Sequence, residues 1–492
     1  MKSECRILAM LLSVLLISPV VRAAPTATAE TPKASPVEPT DSYGPFRNFT
    51  IYQPAGGAAV VAHVILFLSG DGGWNLGVVQ MARQFTKFGS VVVGIDTPAY
   101  VAALAKAGGK CSYPAGDLES LAQYVEKTLH MDQYVAPVIA GYSSGATLAY
   151  AALVAAPKGT FSGAVSLGFC PDLAIPKPMC KGAGLTSKIN PQFDPKAPNP
   201  NPDIPMTGVL FNAVKKVSAP WIVLQGEIDQ VCLPKKTERF VSTIQGASLI
   251  ALPKVGHGFG VDRNWTPQLK DVFSTITAAA PPPPAPASLA NLPLYEVPAA
   301  AKPSDWMAVF YTGDGGWAEL DREVSHRLAA NGVGVVGISS LRYFWSLKPP
   351  EDAAADLARI IRNYSTTWHK KHFMLVGYSF GADVIPAIYN HLPADERAEV
   401  GAIGLIGPSP RAQFEIKMVG WLGRNGNGDP TLPQVEMMRD LPIVCIHGSD
   451  ETDSLCPDLT NKSAKNVAIG GGHHFGGDYD ALSKALLARL KG

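Results

Sequence analysis

A serine framed by glycines is the first chemical group the chain offers. In Gly377-Tyr378-Ser379-Phe380-Gly381-Ala382-Asp383, the apolar run Phe373 to Val376 breaks at a glycine, presents a hydroxyl, and continues with helix-like spacing. Small residues at the two glycine positions let a backbone turn sharply from strand to helix. The serine oxygen is then exposed at a helix N-terminus, where the dipole favours developing negative charge. A hydroxyl so placed can attack a carbonyl if a histidine takes its proton and a carboxylate fixes the tautomer of that histidine. The same pattern occurs earlier, at Gly141-Tyr142-Ser143-Ser144-Gly145-Ala146.

Acids and bases follow both serines in the order serine, acid, histidine. The first half offers Ser143, Asp229 and His257. The second offers Ser379, an aspartate between Asp450 and Asp453, and His473 or His474. Alignment on the glycine that ends the preceding apolar run points to Asp450. Alignment on the following cysteine, Asp229 to Cys232 against Asp453 to Cys456, points to Asp453, which is preferred. The shared His-x-Phe pattern pairs His257 with His473 and leaves His474 as the alternative base. A Gly-Asp-Gly-Gly-Trp loop also follows the first strong β run of each half. Consecutive glycines allow backbone N–H groups to point at a substrate oxygen as it gains charge. That reasoning assigns Gly315 and Phe380 as oxyanion donors in the second half, and Gly72 and Ser144 in the first. Such chemistry requires no metal or cofactor.

The elements that must carry these groups form an internal repeat. Phe67 to Trp74 answers to Phe310 to Trp317, Val91 to Asp96 answers to Val333 to Ser339, and the two serine motifs follow. Ile222 to Gly226 then matches Ile443 to Gly448, and Gly256-His257-Gly258-Phe259-Gly260 matches Gly472-His473-His474-Phe475-Gly476. Continuous Val, Ile and Leu runs suit strands buried on both faces of a parallel sheet, and helical patterns such as Asp117 to Leu129 and Glu351 to Tyr364 lie between them. The expected fold class is α/β, with two tandem α/β-hydrolase-like domains, each a mostly parallel doubly wound sheet. Each half has an irregular insertion, Pro171 to Pro220 and Pro408 to Pro442, where a lid or substrate surface would sit.

The remainder of the chain sets the boundaries. Its 492 residues allow two domains of ordinary size, and 42 basic against 41 acidic residues give no reason to expect direct binding of nucleic acid. Lys2 and Arg6 precede an apolar stretch that ends at Val21-Arg22-Ala23, the pattern of a cleaved secretory signal at residues 1–23. Residues 24–43 read as a disordered tether and 278–290 as a stiff Pro/Ala-rich linker, leaving domains at 44–277 and 291–492. Cys5 precedes the apolar run, where a lipid-anchored cysteine would have to follow it. Export leaves Cys111, Cys170, Cys180, Cys232, Cys445 and Cys456 for disulfides. Cys445 and Cys456 are alone in the second half and are expected to pair, while the other four allow three connectivities.

Gly-Asp-Gly-Gly-Trp, Gly-Tyr-Ser-Phe-Gly-Ala-Asp and Gly-Gly-His-His-Phe-Gly-Gly-Asp together resemble the VirJ/AcvB family of bacterial virulence proteins, most strongly over Trp306 to Gly492. The exported two-domain layout is similar to AcvB rather than to the single-domain VirJ. The resemblance implies a periplasmic α/β-hydrolase acting on lysyl-phosphatidylglycerol, with Ser379 attacking the aminoacyl ester. The partner is then an aminoacylated phospholipid at the membrane surface. Asp314 and Glu451 are candidates to bind the substrate ammonium, within an acidic neighbourhood that includes Asp450, Asp453 and Asp478. Phe414, Ile416, Met418, Val419, Trp421 and Leu422 could touch lipid or form a core helix. Two alternatives are a generic carboxylesterase and a periplasmic binding or chaperone factor with vestigial triads.

Overall fold

The computed structural model describes residues 40–55, 63–108, 110–180, 184–194, 204–278, 287–300, 303–417, 428–460 and 463–490. The signal and nearly all of the tether, most of the Pro/Ala-rich segment, and Met418 to Leu422 lie outside the described residues. Two sheets carry the chain. In space, the first runs Thr40–Tyr43, Phe46–Tyr52, Ser90–Ile95, His63–Leu68, Val138–Tyr142, Gly163–Leu167, Lys216–Gly226, Gln245–Leu252. The second runs Leu294–Val297, Gly334–Ile338, Trp306–Tyr311, His372–Tyr378, Val400–Ile406, Ile443–Gly448, Ala464–Ile469. Without Thr40–Tyr43, the strand orders are identical.

The antiparallel pairings lie at one edge of each sheet, and the remaining pairings are parallel. The central strands are almost wholly apolar because both of their faces are covered. Ser90–Ile95, for example, is buried at every position, and each sheet has a separate hydrophobic core on either side. Helices Pro114–Thr128 and Pro350–Thr367 begin with proline, whose missing N–H costs nothing in a first turn. Strand order reverses on either side of His63–Leu68 and of Trp306–Tyr311, with later strands added on the opposite side. A crevice opens at such a switch point beyond the carboxyl ends of the strands. The glycine loop and the serine motif of each half both emerge there.

Three details depart from the sequence reading. Thr40–Tyr43, assigned above to a tether, pairs with Phe46–Tyr52, because the Gly44-Pro45 turn lets Tyr43 stack on Tyr124 at 4.4 Å. Ala287–Leu289, assigned to the linker, forms a 3₁₀ turn with Leu289 fully buried. Phe414 and Ile416 are buried beside Phe344, whose carbonyl accepts from Ile416 N at 2.7 Å, so this part of the insertion belongs to the core.

The described residues from 40 to 490 cluster as one compact unit. The two halves meet at Trp345, which is 2 % exposed and donates from Nε1 to Met131 O at 2.8 Å. Tyr134 from the first half lies 5.4 Å from its ring, and Lys127 Nζ lies 4.4 Å from the ring centroid, within cation–π reach. No described helix is long and apolar enough to cross a membrane.

Candidate active sites

Both serines sit at sharp strand-to-helix turns. Ser143 has φ 54° and ψ −122°, and Ser379 has φ 52° and ψ −118°. A non-glycine residue held there costs about 1–3 kcal/mol and persists only where its surroundings enforce it. The flanking glycines show what does so. A Cβ on Gly145 would lie 2.3 Å from Leu68 O, and one on Gly381 would lie 2.2 Å from Tyr311 O. Each helix therefore starts against the backbone of the neighbouring strand, a distance only glycine allows. Ser144 and Phe380 are the first residues of their helices, so their N–H groups have no acceptor within the helix.

In the first half, His257 joins its neighbours into a chain, with Nε2 at 3.0 Å from Ser143 Oγ and Nδ1 at 2.8 Å from Asp229 Oδ2. Asp229 is buried. Its Oδ1 accepts from Val231 N at 2.8 Å and Cys232 N at 2.9 Å, and its Oδ2 also accepts from Gln225 Nε2 at 3.0 Å. These donors fix the orientation of the carboxylate and aim its Oδ2 at the imidazole.

The second half builds the same chain with a different acid. His473 Nε2 lies 2.8 Å from Ser379 Oγ, and its Nδ1 lies 2.5 Å from Glu451 Oε1, while Glu451 Oε2 accepts from Gly448 N at 2.7 Å. The acid expected at Asp453, or at Asp450, is thus Glu451, a residue expected from the sequence to bind the substrate ammonium. Asp450 is exposed and accepts from Ser449 Oγ at 3.0 Å. The signal was a count. Asp229 is the third residue after Gly226, and Glu451 is the third after Gly448. Gly226 and Gly448 close matching strands, so the turn that follows brings the third residue beneath the histidine. His474 is engaged elsewhere, with Nδ1 2.9 Å from the Tyr378 hydroxyl.

The glycine loops lie beside the serines through their first glycine. A Cβ on Gly70 would meet Ser143 Cβ at 3.1 Å, and one on Gly313 would meet Ser379 Cβ at 3.7 Å. At Gly315 the same test finds nothing within 4 Å. The loop tryptophan anchors the turn. Trp74 and Trp317 occupy the space where Gly94 and Gly337 would carry side chains, each 2.0 Å from the missing Cβ. Asp383, the last residue of the second serine motif, braces the insertion by accepting from Ser409 N at 2.6 Å and Ser409 Oγ at 2.8 Å.

Acidic charge gathers at the second site. Tyr378 is held well above its usual range, first by burial and then by Asp321, Asp314 and Glu451. The pKa of His474 is lowered by burial and by His473, against the opposing pull of Asp314 and Glu451. Glu119, from the first half, is pushed up to about 8 by burial and by Asp314. A cavity of about 880 Å³ between the halves is lined by Glu119, Tyr134, Arg342 and the Gly315-Gly316-Trp317 loop, and neither serine lines it.

Three disulfides join Cys111 to Cys180, Cys170 to Cys232 and Cys445 to Cys456, as suits a protein of oxidising surroundings. Asp229, Cys232 and His257 approach one another closely enough to suggest a metal site, but the Cys232 sulfur is spent on Cys170 and the other two bind each other.

The strand order, the serine at the switch-point elbow and the late acid and histidine define an α/β-hydrolase fold, built twice. Solved structures similar to half of the chain include an α/β serine hydrolase homologue from Coxiella burnetii, at 16% identity with 47% of this chain and 91% of that chain covered and a TM-score of 0.29. Others are an α/β serine hydrolase without a lid from Xanthomonas campestris, at 18% identity, 48% and 91% coverage and a TM-score of 0.28, and a thermophilic esterase from Thermogutta terrifontis, at 17%, 49% and 91%, and 0.32. Comparison with curated proteins finds no match. The profile of the bacterial virulence protein (VirJ) family matches residues 62–163 and 305–492, and the chain belongs to that family.

Proposed function

We propose that the protein is a periplasmic serine hydrolase whose Ser379 cleaves the aminoacyl ester of lysyl-phosphatidylglycerol. The observation that carries the catalytic part is the continuous hydrogen-bonded chain Ser379–His473–Glu451. As Ser379 Oγ attacks the lysyl carbonyl, its proton passes to His473 Nε2, and Glu451 stabilises the resulting imidazolium through Nδ1. The ester C–O bond breaks, and His473 returns the proton to the departing glycerol oxygen. Water then attacks the lysyl-enzyme by the same route, releasing lysine and regenerating Ser379. The Phe380 N–H and backbone N–H groups of the Gly313–Trp317 loop, that of Gly315 among them, would receive the oxyanion.

The preference for a cationic acyl group rests on the carboxylates. Asp450 and Asp453 flank the acid, and Asp314 acts electrically on Tyr378 and His474 beside the nucleophile. The lysyl ester carries two ammonium groups that this charge would attract. Membership of the VirJ family and the oxidised cysteines support a site outside the cytoplasm. The decisive experiment presents lysyl-phosphatidylglycerol vesicles to purified protein and measures free lysine. Ser379→Ala is expected to lower the rate by several orders of magnitude. Undiminished lysine release by that variant overturns the assignment. Equal rates on a neutral acyl ester and the lysyl ester would instead leave a general esterase.

A further inference from the structure

The first half holds a complete triad that the reading above does not use. The VirJ profile reaches Ser143 but stops at residue 163, before Asp229 and His257. Those two nonetheless stand in hydrogen-bond contact with each other and with Ser143, on loops from the ends of Lys216–Gly226 and Gln245–Leu252. A decayed copy has no reason to keep a strained serine at φ 54°, a buried carboxylate with four donors, and a glycine packed against a strand. Strain of this kind is lost once nothing requires it.

The rims of the two sites differ at matching positions. Immediately before the acid stands Ile228 in the first half and Asp450 in the second. Two residues after it stand Val231 and Asp453. Ile228 is 61 % exposed and Val231 65 %, and Leu233 and Val261 on the same two loops are also exposed. Large aliphatic side chains left in water on the loops that carry an acid and a base mark a surface meant for apolar contact. Where the second site sets carboxylates, the first sets hydrocarbon.

We propose that Ser143, His257 and Asp229 form a second active site, which hydrolyses esters of long apolar acyl chains laid against Ile228, Val231, Leu233 and Val261. Ser143 Oγ attacks the acyl carbonyl while His257 Nε2 takes its proton. The bond to the alcohol breaks, and the alcohol leaves with that proton. Water attacks the acyl-serine, giving its proton to His257 and then to Ser143, so that ester and water become acid and alcohol. This site stands or falls independently of the substrate given to Ser379.

The test uses the full chain with a fluorophosphonate probe and intact-mass measurement. The expected result is two adducts on the native protein, one on Ser379→Ala, one on Ser143→Ala and none on the double variant. Ser379→Ala is further expected to show a kcat/KM at least tenfold higher on p-nitrophenyl decanoate than on the acetate. Adding Ile228→Asp and Val231→Asp is expected to cut that ratio at least fivefold. A Ser379→Ala protein with a native melting curve that takes no adduct at Ser143 overturns the proposal. A chain-length ratio unmoved by the two aspartates overturns it equally.

Discussion

Glu451→Gln separates the acid found in the structure from its aspartate neighbours. Both oxygens of Glu451 are acceptors, Oε1 from His473 Nδ1 at 2.5 Å and Oε2 from Gly448 N at 2.7 Å. A carboxamide has one acceptor and one donor, so one N–H must face another whichever way it turns. If its oxygen stays with Gly448, the amide nitrogen faces Nδ1 and drives the ring proton to Nε2, where the imidazole cannot receive the Ser379 proton. If the oxygen turns to Nδ1, the Gly448 N–H loses its partner, at about 1–3 kcal/mol, and the imidazolium loses its anion. The analogous change in serine proteases costs about 10⁴ in turnover, so kcat/KM on p-nitrophenyl acetate should fall about 10³–10⁴-fold, or about 4–5.5 kcal/mol of barrier. The assay belongs in a Ser143→Ala background, with melting curves to confirm folding. Asp453→Asn in that background should stay within about threefold on this neutral ester. A larger loss for Asp453→Asn than for Glu451→Gln would refute the reasoning.

Two further outcomes follow from backbone packing and from a buried carboxyl. Gly381→Ala would press a methyl to 2.2 Å from Tyr311 O, which belongs to a central strand and cannot retreat, so soluble yield and melting temperature should fall steeply, whereas Gly315→Ala should fold normally. A Gly381→Ala protein that melts like the native one would contradict the packing argument. Asp321 is fully buried, and burial lifts its pKa from 3.8 to about 7. The folded state therefore binds a proton that the unfolded state releases, so the contribution of Asp321 is full below about pH 3.8 and declines as pH rises toward 7, by about 4 kcal/mol in all. Asp321→Asn does not titrate. Its melting temperature relative to the native protein should climb between pH 4 and pH 8, and a difference that stays flat would show that Asp321 is ionised in the fold.

Most of the architecture could be read from five landmarks recurring in the same order, because each marks the carboxyl end of a strand or the loop after it. The glycines of the serine motifs were legible for the same reason, since close backbone approach tolerates no other residue. Glu451 was not, because Asp453 shares with Asp229 its spacing to the next cysteine, whereas the carboxylate at the matching third position after the glycine is one methylene longer. Pairing among Cys111, Cys170, Cys180 and Cys232 depends on where the Pro171 to Pro220 insertion folds back. There the strands Asp172–Ile175, Ser187–Ile189 and Thr207–Phe211 form a small antiparallel sheet that no periodicity announced.

The cysteines bear on when the protein becomes able to act. Cys445 and Cys456 bracket Glu451 within a closed loop, and Cys232, whose N–H binds Asp229, is tied to Cys170. Closing loops of these lengths removes about 3–4 kcal/mol of chain freedom. A chain fresh from the ribosome carries thiols at all four positions, and the acid of each triad then stands on a segment not yet held. Both serine–histidine–acid chains gain their last constraint from an oxidant rather than from the sequence, so oxidation of these cysteines is a step in completing each site.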